Sequence, residues 1–239
     1  FILPEFSADR VPYEDFTFAL DYNVDKQRLD LLNTQVTVKG VTINAEGAFR
    51  ANEREIAGPL KFSIKDLKQS QIKPLWPKAL EGDNAEEWIV QKMSEGTFHD
   101  VLAVVDLFAV RSAEEGWDFG VEDALASFKF ENMAVDYRPP MMPVKKAKGS
   151  GSFKLAEEKL SVAIESGMIG DLTVEQAELE FVNIIEAGKG KADIRVKLNG
   201  PLKTGFEYLE REPITLEHDF DLAQVKGNLP KVTDPSLAT

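Results

Sequence analysis

Hydrophobic and polar residues alternate with a period of two along most of this chain. Phe16, Phe18, Leu20 and Tyr22 alternate with Thr17, Ala19 and Asp21, the mark of a strand with one buried face. Asn23 to Gln27 reads as a turn. Leu29 to Leu32 and Gln35 to Lys39 continue the pattern, with Val36 and Val38 on one side. Gly40 punctuates; Val41, Ile43 and Ala45 follow, then Gly47 to Phe49, Ile56, and Leu60 to Ile64. The short turns between these runs predict an antiparallel meander. Thr97 to Arg111 is apolar on both faces and predicts a more enclosed strand. Trp117 to Val121 and Leu125 to Phe130 predict a strand pair, and Met133, Val135 and Tyr137 alternate again. Phe153 and Leu155 with Leu160, Val162 and Ile164 predict a hairpin. Gly167 to Gly170 turns the chain before Leu172 to Glu175 and Ala177 to Phe181. A last run, Ile194, Val196 and Leu198, is closed by Gly200-Pro201.

The period changes once between the two β-rich halves. After Pro74-Leu75-Trp76-Pro77, residues 84–95 predict the principal helix, capped by Asp83 with Glu86 completing a capping box. Glu86 and Glu87 suit the positive end of its dipole, and Gly96 is a left-handed stop. Ala85, Trp88, Ile89 and Met93 share one face, which with Trp76 predicts packing against the open end of a sheet. A second capping box, Thr204 and Glu207, predicts a short helix carrying Phe206 and Leu209 and ending before Pro213. Arg138 to Gly151 holds Pro139, Pro140 and Pro143 and predicts a loop. The organisation predicted is a first β unit over 1–75, a linker and helix over 76–96, a second β unit over 97–227 and a tail over 228–239. Gly58-Pro59-Leu60-Lys61 and Gly200-Pro201-Leu202-Lys203 read as a faint internal repeat of that unit.

Composition narrows the function. The 239 residues are 43% hydrophobic, enough for a substantial core. A net charge of −13 repels phosphate backbones and argues against nucleic-acid binding. The absence of cysteine removes disulfides and thiolate metal sites. The longest apolar run, Val101 to Val110, is interrupted by Asp106 and too short to span a bilayer. The chain opens on Phe1-Ile2-Leu3-Pro4, which reads as a piece of a longer protein with its targeting or anchoring segment elsewhere.

Candidate chemistry is sparse. His99 and His218 are the only histidines and have no partners at ligand spacing. Gly149-Ser150-Gly151-Ser152 has the letters of neither a nucleophile elbow with a following helix nor a phosphate loop. Glu86-Glu87 and Glu114-Glu115 are adjacent and do not converge on one point as a hydrolase pair must. The expectation is a protein that is not an enzyme and has no cofactor or metal. Arg138, Lys145, Lys146 and Lys148 form the one basic contrast, able to meet anionic headgroups with Met141 and Met142 inserting, or simply to balance an acidic surface. The apolar stripes fit either the inside of a closed sandwich or an open groove, because both need alternate residues to face inward.

Three places carry a resemblance. One is Trp76-Pro77, a linker, the helix with Trp88, then Gly96 and a strand. The second is Phe128 to Phe153: a strand with Phe130, Val135, Asp136 and Tyr137, a proline-rich loop, then Ala147 to Phe153. The third is Leu198 to Gly227, with Gly200-Pro201-Leu202, Tyr208-Leu209, Glu212-Pro213-Ile214 and Val225-Lys226-Gly227. In this order and spacing the chain resembles the central region of the AsmA-like family of bacterial envelope proteins. The resemblance implies a long curled antiparallel sheet, U-shaped in section, with an apolar concave face and one or two short capping helices. It implies a non-catalytic segment of a periplasmic protein anchored in the inner membrane, conducting phospholipid or other acyl lipid toward the outer membrane. The partners implied are lipid, neighbouring groove segments of the same parent chain and envelope proteins, with no nucleic acid. The expected groove wall is Phe16, Phe18, Leu20, Val36, Val38, Phe128, Phe130, Val162, Ile164, Leu179, Phe181, Ile194 and Val196. The alternative is a structural or adaptor module for envelope assembly, docking proteins on its sheet edges.

Overall fold

Alternating residues form strands here, and several successive strands are joined by turns of two to four residues. The computed structural model describes residues 13–76, 86–112, 116–136, 140–184 and 190–209, and strand accounts for 71% of these described residues. The strands are β1 (Asp15–Asn23), β2 (Arg28–Val38), β3 (Val41–Ala51), β4 (Glu55–Lys68), β5 (Met93–Ser94), β6 (Thr97–Ser112), β7 (Gly116–Val135), β8 (Val144–Lys154), β9 (Lys159–Ile169), β10 (Leu172–Val182) and β11 (Lys191–Asn199). They form one antiparallel sheet in the order β1-β2-β3-β4-β6-β7-β8-β9-β10-β11, with β5 alongside β7. The sheet is curled and not closed into a barrel. β4 and β6 pair from Glu55↔Val110 to Lys68↔Thr97, so the two β-rich halves share one ladder.

Substantial strand contacts run only between hydrogen-bonded neighbours. Among the described residues no second sheet lies across the first, so the sheet is a single layer. β6 is central and half-buried on both faces, as its sequence predicts.

One end of the sheet is covered. Helix α1 (Gln69–Ile72), a 3-10 turn (Lys73–Leu75), a π-helical turn (Glu87–Lys92) and helix α2 (Leu202–Leu209) gather there. Ile72, Phe98, Phe130, Met133 and Ala147 form one buried cluster, against which Trp76, Ile89, Val90 and Met93 pack. Met141, Ile169, Leu172, Val174, Ala177 and Tyr208 form a second.

Several sequence expectations are corrected. The predicted helix over 84–95 is a π-helical turn that gives way at Met93 to β5. The wide turn leaves carbonyls without helical partners, and the Gln69 side-chain amide donates to Ile89 O at 3.1 Å and Met93 O at 2.7 Å. Ile89 and Met93 do pack on the sheet end as expected. Asp83, Ala85 and the Trp88 side chain lie outside what the structure describes. Gly96 is the left-handed stop, with φ +70°, and a Cβ there would lie 2.8 Å from Glu131 O. Among the described residues the longest regular helix is α2. It begins at Leu202, so Thr204 sits inside it and does not cap it.

Trp117 to Phe130 is one strand and not a pair. Glu122 is absorbed as a bulge, since Asp106 faces Asp123 while Leu107 faces Val121. β9 runs on through Gly167 to Ile169, with the turn only at Gly170-Asp171. The predicted loop over 138–151 is strand from Val144 onward. Gly149 and Gly151 there do not break the ladder. A Cβ at Gly149 would lie 2.0 Å from Ala163 O and 2.8 Å from the Phe130 ring, and one at Gly151 2.3 Å from the Phe128 ring. Both glycines therefore make room for a cross-strand aromatic side chain. The Gly-Pro repeat is not structural: Gly58-Pro59 lies within β4, whereas Gly200-Pro201 joins β11 to α2.

Candidate functional site

Register assigns the faces. Residues directly opposite in a ladder project from the same side of a sheet. Phe128 faces Gly151, which faces Val162, then Leu179, then Ile194. Phe130, Gly149, Ile164, Ala177 and Val196 make a parallel row nearer the covered end. Ala45, Phe62, Ala103, Ala126, Phe153, Leu160 and Phe181 make a third, on the other side of the Phe128 row. Across β1 and β2, Phe16 faces Val36, Leu20 faces Leu31 and Tyr22 faces Leu29, while Val38 faces Val41 of β3. All the residues expected in the groove wall thus fall on one continuous apolar face.

That face is not uniformly covered. Val38 and Phe130 are buried, and Val36, Phe128, Val162, Ile164, Leu179 and Phe181 half-buried. Phe18 and Ile194 are each 55% exposed, and Phe16, Leu20 and Val196 are exposed as well. Trp117, Phe119 and Val121, at the end of β7 away from the helices, are also exposed. The result is a trough, closed at one end and open toward the other end and toward both edge strands. Among the described residues its buried polar side chain is Thr34, opposite Ala45. Thr34 is buried, and its Oγ1 is the one buried side-chain polar atom without a hydrogen-bond partner among the described residues.

The opposite face is polar and electrostatically settled over most of the sheet, although β6 and β7 place Leu102, Val104, Phe108, Val110 and Leu125 there. Lys129 Nζ lies 2.8 Å from Asp100 Oδ2, which holds the Asp100 carboxyl below its ordinary range and the Lys129 amine above its own. Glu175 is held below its ordinary range by hydrogen bonds from Lys197 and then Asn199. His99 Nδ1 lies 2.6 Å from Asp66, on this face and away from the trough. A concavity of about 740 Å³ lies mostly on this side, lined by Ser127, Ser152, Ser161 and paired charges such as Asp193–Arg195, with Phe128, Val162 and Leu179 also bordering it. It follows from sheet twist, which dishes a single layer on both faces.

The basic segment is reshaped by β8. Lys145, Lys146 and Lys148 are exposed, and Lys148 Nζ lies 3.8 Å from Glu131. Met141 is buried against Ile169 and Leu172, so it is not available to insert into a membrane. Arg138, Tyr137 and His218 lie outside the described residues. The sequence reading missed the contribution of Leu29, Leu31, Phe62, Phe119 and Phe153 to the apolar face, although their alternation was visible. No described helix is long and apolar enough to cross a membrane. Comparison of the chain with protein-family models, with curated proteins and with solved structures found no match in any of the three.

Proposed function

We propose that this chain is a non-catalytic segment of a trough that carries acyl lipid across a bacterial envelope, within a periplasmic, inner-membrane-anchored parent protein. One observation carries the reading: a continuous apolar face spans the sheet, yet much of it is covered by no other part of the described chain. Each methylene buried there gains about 0.8 kcal/mol, so an acyl chain lying along a row such as Phe128, Val162, Leu179 and Ile194 gains several kcal/mol. A charged headgroup stays in water at the open side. The process requires no catalytic group. Phospholipid is the lipid class proposed, in keeping with the family resemblance. The adaptor reading calls for a closed, side-chain-filled core, and a single-layer sheet offers little support for it.

Native mass spectrometry of the gently extracted full-length parent protein tests this. Bound acyl lipid is expected, displaced by long-chain detergent. Protein that carries none under these conditions overturns the reading.

A further inference from the structure

The two edge strands match each other. Among the described residues β1 pairs only with β2, and β11 only with β10. Each is nine residues long, and the outward residues of each are exposed. Every step from β1 to β11 is antiparallel and the number of steps is odd, so the two edges run in opposite directions. The β11 edge of one molecule can therefore receive the β1 edge of another as the next antiparallel strand, with both apolar faces on the same side.

Charge selects a register. On the polar side β1 presents Asp15 and Asp21, whereas β11 presents Lys191, Arg195 and Lys197 with Asp193. Setting Thr17 opposite Arg195 places Asp15 against Lys197 and Asp21 against Lys191. The same register lays Phe16 on Val196 and Phe18 on Ile194, covering apolar surface exposed on both edges. Lys197 already bonds Glu175 within its own molecule, so Asp21 with Lys191 carries more of the preference. Self-pairing is poorer: β1 on β1 opposes carboxylates, and β11 on β11 in the same sense opposes cations.

We infer that this protein associates with a second copy of itself head to tail, β1 of one molecule pairing antiparallel with β11 of the next. The contact is heterologous, so it leaves a free edge at each end and continues beyond a dimer. It joins the apolar troughs of successive molecules. It does not rest on the lipid reading, because edge pairing and its charges are the same in lipid-free protein.

The chain has no cysteine, so disulfide trapping is clean. Thr17→Cys protein is mixed with Arg195→Cys protein, lipid-free, and oxidised. A mixed disulfide at twice the monomer mass is expected, well in excess of either homodimer. No cross-link, or homodimers formed as readily as the mixed species, overturns the inference. Sedimentation gives an independent readout that needs no cysteine. The weight-average mass of the unmodified protein is expected to rise with concentration. An Asp15→Lys, Asp21→Lys variant is expected to lose that rise on its own, and to regain mixed association with a Lys191→Glu, Lys197→Glu partner. An unmodified protein that stays monomeric at high concentration, or charge variants that associate as the unmodified protein does, overturns it equally.

Discussion

The helix-covered end of the apolar face and its β1 edge carry the same kind of sequence and meet opposite fates. Phe130 on β7 and Phe18 on β1 are both phenylalanines in strict alternation. One is 7% exposed, the other 55%. Phe130 lies under a roof built from α1, the π-helical turn and the segment around Trp76, with Met133 and Ala147 beside it. Phe18 stacks on Phe16 at 5.2 Å and has little else. Alternation therefore states which way a side chain points. It does not state whether anything waits there.

The largest expected effect is at the covered end. Gly149→Val forces a branched side chain into space held by Ala163 O and the Phe130 ring, and should prevent a cooperatively folded protein from forming. A normal melting transition for this variant would break the account of β8. Next, Phe130→Ala should cost about 3–5 kcal/mol and Phe18→Ala under about 1 kcal/mol in denaturant unfolding. Similar costs at the two sites would erase the distinction between the ends.

Aspartate separates the regions more sharply. Val162 packs against the cluster around Phe130, whereas Ile194 is open. Val162→Asp should destabilise by several kcal/mol, about 2–5, because a carboxylate is pulled toward an apolar cluster. Ile194→Asp should leave the melting temperature almost unchanged, and in the full-length parent should reduce lipid capture by photo-crosslinkers at Phe18 and Leu20. Probes at Thr17 and Asp21 on the polar side should capture none. Equal labelling of both faces would remove the trough. A subtler test is Thr34→Val, which replaces the buried unpartnered hydroxyl with a methyl group and should gain about 1 kcal/mol.

The smallest effect concerns the contact between β10 and β11. The Glu175 carboxyl is held low by Lys197 and Asn199, so its contribution is present above the ordinary carboxylate range and is lost as pH falls through the lowered value. The pair is exposed and screened, so the effect is slight. A difference in melting temperature between the unmodified protein and Glu175→Gln should be visible near about pH 6 and should shrink as the pH falls below the ordinary carboxylate range. A difference that grows on acidification would contradict the assignment.

Much of this fold was legible in the sequence, because a two-residue period has one structural reading when the turns between runs are short. The strands carrying Phe16, Val36, Val162, Leu179 and Ile194 were found that way, and so was the shared face. Breaks in the pattern were less legible. The interruption at Glu122-Asp123 reads as a turn but is a bulge, and Gly149 and Gly151 read as loop but sit under aromatic rings. In both cases the deciding partner lies on another strand, far away in sequence.

The sequence alone determined the strand alternation, the antiparallel sense of neighbouring strands, the left-handed stop at Gly96 and the one apolar face, since each depends on residues near one another along the chain. Only the tertiary structure decided that the two β-rich halves form one ladder, that the helical segments gather over one end and that, among the described residues, no second sheet covers the rest. Those outcomes depend on which surfaces meet through space. A row of alternating apolar side chains has the same local chemistry whether it meets a roof or an open trough.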